Sequence, residues 1–502
     1  MRRHTVSRGG NVEPAQEPGI SRAYDPGVTG PRLSGYDRLS ALDETFLHLE
    51  RPETPMHVGA IAVLEREPFY GPDGRFRLDD VRNLVRSRLP LIPRFRRRVE
   101  HIPFGLGRPI WVDDPGFDIA RHVNLTRLPA PGTRRQLITL AQRLMEQILD
   151  RDHPLWELWL VEGVDRGDHV GLVHKSHHTL TDGISGIDIA TAMFDFSREP
   201  TVMDTPDWEP EPAPDPARLM IDAVCDRIRQ PVELAGLARR GVAAPRQVVD
   251  RASQLARSIG SLVGTDPIAP TLSINGPIGR GRRIEVVRVE LDPVRKVSRE
   301  FGCTVNDVVL AGVGGALARL LDARGELRPD LSVKIFCPVS VRDDSERAQL
   351  GNRISAMFVP LAVGEPDAIV RLRAVHAATS TLKEREQAVG AAALIGLTEY
   401  AAPTLLGLAA RAAHGQRFAN LIVTNIPGPQ VPLYCLGAQL LEVYPLAPLS
   451  RNLTINVAVM SYCGELYFGI VGDGTAAPDL ETLAGGIEDA FEELHTLAAG
   501  FS

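Results

Sequence analysis

The stretch His177-His178-Thr179-Leu180-Thr181-Asp182-Gly183 is the part of this sequence best suited to chemistry. Imidazole exchanges protons near neutral pH, so a histidine held at a cleft can act as general base toward a hydroxyl. His178 falls where a strand ends and a turn begins, a place from which a side chain can face a cleft. Gly183 then permits close backbone approach. Asp182 has two readings: it caps a helix starting at Ile184, or it pairs with a distant arginine and locks the loop. A metal site is a poorer fit to His174, His177, His178 and Asp182. On a strand, His177 and His178 face opposite ways and His174 shares a face only with His178, and the helical His-x-x-x-His pairing favoured by zinc is missing. No activated Ser or Cys nucleophile is indicated, because Ser176 lies on the strand face opposite His177.

Several elements must carry this stretch. Strand character over residues 169–177 delivers the chain into the two histidines, and residues 156–164 alternate with Trp156, Leu158, Leu160 and Glu162 on one face. A mostly buried strand is expected over 57–64, with helical spacing over 78–89, 134–149 and 184–196. The prolines of segment 206–216 exclude a helix or central strand and predict a stiff linker. Helices are expected over 219–232 and 248–263; the second carries the stripe Val248, Ala252, Leu255, Ile259 and Leu262, read either as packing between domains or as lying on a lipid surface. Beyond it come strands at 284–291, 331–339, 354–363, 420–424, 453–462 and 466–471, a long apolar helix over 305–321, and a closing helix over 480–494. Strands and helices alternate loosely in both halves, which predicts two α/β layered domains without a sequence repeat. The expected boundaries are a disordered extension at 1–35, an N-terminal domain at 36–200, a linker with connecting helices at 201–273 and a C-terminal domain at 274–502.

The 502 residues exceed one ordinary domain, and 44% hydrophobic with 24% charged residues suits a soluble globular protein. A net charge of −7 argues against a dedicated nucleic-acid binder. The basic runs at 94–98 and 280–283 read as solvated faces or as contacts to coenzyme A phosphates or anionic lipid. The five cysteines are widely spaced and lack a Cys-x-x-Cys, which reads as free thiols in a reducing compartment. No apolar core follows the N-terminal charges, so no secretory signal is expected. Segment 388–410 is long and apolar, but Glu399, Tyr400 and Pro403 make a helical pair more fitting than a membrane span.

Taken together, the chain resembles the bacterial wax ester synthase/diacylglycerol acyltransferase family, particularly its actinobacterial triacylglycerol synthases, from about Leu39 onward. The resemblance rests, in chain order, on Pro154-Leu155-Trp156, the His-His-x-x-x-Asp-Gly run, Asn275-Gly276-Pro277-Ile278-Gly279, Asn306-Asp307 and Thr424-Asn425-Ile426-Pro427-Gly428-Pro429. It implies two chloramphenicol-acetyltransferase-like, condensation-domain-like halves meeting at a central substrate tunnel. His178 inherits the role of base, while His177 is mainly structural. The resemblance pairs Asp182 with Arg342, in Pro338-Val339-Ser340-Val341-Arg342. Asn306 is a polar hotspot for substrate or oxyanion; a capping box of Thr304 and Asp307 accounts for Asp307 but leaves Asn306 over. Pro154, Leu155 and Trp156 are a strand anchor and candidates for lining the acyl tunnel. The activity implied is direct transfer of a long-chain acyl group from acyl-CoA to diacylglycerol, or to a long-chain alcohol giving wax esters, with no cofactor and no metal. The implied setting is cytoplasmic, peripheral to a membrane or lipid inclusion. The competing readings are a condensation-type enzyme using a carrier-bound acyl group and a non-catalytic lipid-binding protein.

Overall fold

The computed structural model of the chain describes residues 37–181, 193–201, 203, 208–225, 269–340, 354–387 and 418–500. The expected extension at 1–35, most of the helix at 184–196, the helix at 248–263, segment 388–410, and Asp182, Gly183 and Arg342 lie outside these residues.

The first half begins with α1 (Ala41–Leu49), started by a capping box in which the Ser40 side chain accepts from the Asp43 N–H and Asp43 reaches back. β1 (His57–Glu65), α2 (Leu78–Arg88), β2 (Arg97–Glu100), β3 (Ile110–Asp113), α3 (Ile119–His122) and β4 (Val123–Arg127) follow. Thr133 and Gln136 cap α4 (Arg134–Glu146), whose buried Leu137, Ile138, Ala141, Leu144 and Met145 recur at helical spacing. Next come β5 (Trp156–Val164), β6 (His169–His177) and the short α5 (His178–Thr181). The second half holds β7 (Arg282–Glu290), α6 (Leu291–Glu300), α7 (Val305–Ala323), β8 (Val333–Ser340), β9 (Ile354–Leu361) and α8 (Ala368–Gln387). It closes with β10 (Leu421–Pro427), β11 (Tyr434–Cys435), β12 (Ala438–Leu446), β13 (Ile455–Tyr462), β14 (Glu465–Asp473) and α9 (Leu480–Ala499).

These strands build two six-stranded mixed sheets, ordered β11-β12-β1-β6-β5-β4 and β7-β14-β13-β10-β8-β9. β6 lies inside the first sheet, antiparallel to β1 and β5, and is buried along nearly its whole length, as an interior strand covered on both faces must be. α7 is apolar all round because α9, α8 and the second sheet enclose it. Gly312 on α7 leaves room for Phe491, whose ring would stand 2.7 Å from any added Cβ.

One difference from the sequence reading concerns residues 434–446, which that reading assigned wholly to the C-terminal domain. Here β11 and β12 leave their own half and complete the first sheet, with β12 antiparallel to β1 from Gly59↔Leu446 onward. Strand pairing of this range is non-local, so no local sequence signal announces it. The halves are tied further through α4. Arg135 Nη1 donates to both Glu285 oxygens at 2.6 and 2.8 Å, and the Arg282 N–H donates to Glu146 Oε1 at 2.7 Å. Among the described residues no single helix is long and apolar enough to cross a membrane.

Candidate active site

β6 carries the two histidines to its end, where they part. The His177 N–H donates to the Leu155 carbonyl at 2.9 Å, and the His178 N–H to the Met56 carbonyl at 2.8 Å. The sequence reading placed the two rings on opposite strand faces. In the structure His177 is the last strand residue and His178 the first of α5, so the turn itself separates them. His177 is fully buried, whereas His178 stays partly exposed with its ring stacked on Phe46 of α1, centroids 3.9 Å apart. A partly exposed imidazole seated on an aromatic plate has a fixed orientation and keeps access to a reactant.

His177 sits in a polar cluster that holds the turn. Its Nδ1 accepts from the Thr179 backbone N–H at 3.2 Å and lies 2.8 Å from Thr179 Oγ1. A backbone N–H can only donate, so the ring proton belongs on Nε2, which faces Glu50 Oε1 at 3.3 Å. His57, opposite His177 in the β1–β6 register, brings its own Nε2 to the same oxygen, also at 3.3 Å. The Met56 N–H donates to Glu50 Oε1 at 3.2 Å, and Arg151 grips Glu50 Oε2 at 2.8 and 3.2 Å. Burial alone would raise the Glu50 carboxyl, but hydrogen bonding and charge from His177 and His57 outweigh it and hold the group well below the usual carboxylate range. Burial pushes His57 down to about 4 and His174 likewise to about 4; for His57, Lys175 reinforces the shift and Glu50 opposes it. Sequence reasoning missed Glu50, His57 and Phe46. They lie more than a hundred residues before the histidines, and no spacing rule connects the end of a helix, the start of a strand and a distant turn.

Pro154, Leu155 and Trp156 fasten the same end of β6. Leu155 is fully buried and supplies the carbonyl that holds His177. Trp156 is 1% exposed, stacks on His122 at 4.6 Å, packs on Phe95, and donates from Nε1 to the Phe95 carbonyl at 2.8 Å. Pro154 is buried beside them.

Asn306 and Asp307 open α7 in the second half. Asp307 forms the expected capping box with Thr304 and also binds Thr379 Oγ1 at 2.7 Å and His376 Nδ1 at 2.9 Å, both from α8. Burial disfavours its charge, but the bonds from Thr379, Thr304 and His376 prevail and lower its carboxyl. Asn306 Oδ1 accepts from Asn425 Nδ2 at 3.2 Å, which fixes the orientation of the Asn306 amide, whose nitrogen is a donor. Two segments far apart in sequence thus meet. Asn275, from a third segment, stitches backbone by donating to the carbonyls of Asn420 and Asn452 at 2.9 Å each. Asp182, Gly183 and Arg342 lie outside the described residues, as does their mutual geometry. Among the described residues no group of three or more His, Cys, Asp or Glu side chains is arranged to hold a metal.

Residues 39–309 match the model of the wax ester synthase/diacylglycerol acyltransferase catalytic domain, and residues 350–495 match the model of the C-terminal domain of the same enzymes. The chain is 33% identical over 495 residues to a Mycobacterium tuberculosis (strain CDC 1551 / Oshkosh) protein provisionally named a diacylglycerol O-acyltransferase, with 95% of this chain and 92% of the relative covered. It is also 33% identical over 478 residues to tgs1 of M. tuberculosis strain H37Rv, likewise provisionally named, with 91% and 96% covered. Among solved structures, the wax ester synthase/diacylglycerol acyltransferase of Marinobacter aquaeolei VT8 superposes with a TM-score of 0.64 at 24% identity, covering 92% of this chain and all of that one. The first condensation domain of the calcium-dependent antibiotic synthetase superposes with a TM-score of 0.56 at 15% identity, covering 92% and 96%, so the likeness extends to the condensation-domain fold.

Proposed function

The chain belongs to the wax ester synthase/diacylglycerol acyltransferase family, and we propose that it moves a long-chain acyl group from coenzyme A to the hydroxyl of diacylglycerol with His178 as general base. The observation that carries this reading is the division between the two histidines: His177 is buried in a fixed tautomer, while His178 is partly exposed, held by its backbone and oriented by Phe46. His178 takes the hydroxyl proton as the oxygen bonds to the thioester carbonyl carbon; the C–S bond then breaks, and the imidazolium returns that proton to the departing sulfur, releasing coenzyme A as the thiol. Donors near the developing oxyanion lower the barrier, and the amide of Asn306 is the group we assign to substrate or oxyanion. Long-chain alcohols fit the same chemistry and give wax esters.

The reading also pairs Asp182 with Arg342. Alanine at either position lowers activity to a similar extent, and the double variant is no worse than the single ones; additive losses in a double-mutant cycle would break the pair. Since both substrates partition into lipid, the enzyme works from the cytoplasm at a membrane or lipid-inclusion surface. Outward apolar side chains such as Phe104, 90% exposed, and Ile221, 62% exposed, support that placement.

The reading is tested by thiol release from a long-chain acyl-CoA with purified protein, with and without diacylglycerol or a fatty alcohol. Release that depends on the acceptor is expected. No release with any acceptor would turn the reading toward lipid binding without catalysis.

A further inference from the structure

The first turn of α7 is held more firmly than the start of a helix requires. The capping box of Thr304 and Asp307 already serves the backbone N–H groups at that end. Two side chains of α8 then add to it. His376 Nδ1 lies 2.9 Å from Asp307 Oδ2, and Thr379 Oγ1 donates to Asp307 Oδ1 at 2.7 Å. With the Thr304 N–H, 2.9 Å from Oδ2, the buried Asp307 carboxylate takes three hydrogen bonds. An ionised carboxylate only accepts, so His376 carries a proton on Nδ1 and turns Nε2 away from Asp307. α7 does not need the added bonds in order to form, because its buried run from Val308 to Leu317 packs on α8 and α9. What they fix is position: the third residue of α7 is pinned to α8, and the second is Asn306.

We propose that His376 is a positioning residue for acyl transfer: through Asp307 it sets where the first turn of α7 presents the Asn306 amide. The inference rests on the function proposed above, which assigns that amide to substrate or oxyanion. Asn306 is held from two sides. Asn425 of β10 fixes the rotation of its amide at 3.2 Å, and Asp307 fixes the backbone that carries it. A displacement of about 1 Å can slow a positioned reaction by as much as about a hundredfold, so an anchor one residue from a reacting group acts on rate without touching substrate. The role needs a donor at the place of His376 Nδ1 and makes no use of Nε2. Asparagine carries an amide N–H near the place of Nδ1, whereas leucine has the bulk without the donor.

The test compares His376→Leu with His376→Asn in the full chain, alone and with Asn306→Ala, reading kcat and KM separately and the folded fraction by thermal midpoint. His376→Leu is expected to lower kcat by on the order of tenfold with KM for acyl-CoA unchanged, and His376→Asn to recover most of that loss. Asn306→Ala is itself slow, and adding His376→Leu to it costs no further kcat, because the anchor then has nothing to place. Parental kcat in His376→Leu would overturn the proposal. So would His376→Asn as slow as His376→Leu, a full additional loss in the Asn306→Ala background, or activity falling only in step with folded protein. If the parent transferred no acyl group, the function proposed above would fail, and a crystal structure of His376→Leu would still decide the link. Loss of the Asn306–Asn425 contact would support it, and a contact kept at 3.2 Å would overturn it.

Discussion

The base role proposed for His178 depends on neighbours that leave it little freedom. Its backbone hangs from Met56, its ring lies on Phe46, and the adjacent His177 is anchored to a carboxylate that also holds Met56. The two histidines were legible in the sequence from residue type and from the strand that delivers them. Glu50, His57 and Phe46 were not, because their contribution depends on tertiary contact alone. Glu50 also implies a pH dependence of folding. Its folded value lies below the ordinary 4.5, so its stabilisation is complete above that pH and is lost as pH falls through the folded value. His57 runs from an ordinary 6.5 to about 4 in the fold; the unfolded chain therefore binds the extra proton, and stability drains as pH falls across that window. Glu50→Gln is expected to cost about 1.5–3 kcal/mol at neutral pH, the usual worth of hydrogen bonds to a charged group, with the gap to the parent closing in acid. Denaturant unfolding at neutral and acid pH measures this, and a gap constant with pH would contradict the role assigned to Glu50.

At the scale of elements, the end of β6 is secured from both neighbours, by β1 through Met56 and His57 and by β5 through Leu155 and Trp156. β5 and β6 were readable to the residue, since alternation and near-continuous burial leave distinct patterns. β4 and α8 were not singled out, and short or weakly patterned segments of that kind take their structure from what packs on them. Trp156 anchors β5 with its ring stacked on His122 and its indole N–H satisfied. Trp156→Ala is therefore expected to lower stability by about 3–5 kcal/mol, the range for emptying a large aromatic site. A loss below 1 kcal/mol in chemical denaturation would mean that the core around β5 refills easily and that the indole is not its anchor.

Across the whole molecule, the two sheets are joined by exchange rather than by simple contact. A sequence divided near residue 274 predicts two α/β halves, and the fold has two six-stranded sheets. It cannot show that β12 crosses back to pair with β1, because the partner of a strand so far away in sequence is chosen by the fold around it. The crossing is close: a Cβ on Gly469 of β14 would stand 1.8 Å from the Pro445 carbonyl oxygen of β12. Gly469→Ala is expected to force the two strands apart at a cost of about 1–3 kcal/mol or more, and a thermal midpoint equal to the parent's would show that the contact yields freely. Joining the halves in this way fixes the β1–β6 pair against the second half, and β1 and β6 together hold His178. The decisive measurement is the single-turnover rate of acyl transfer from acyl-CoA to diacylglycerol by His178→Ala, with folding checked by the thermal midpoint. The account predicts a folded protein about a hundredfold to ten-thousandfold slower than the parent. A folded variant turning over at near-parental rate would contradict it.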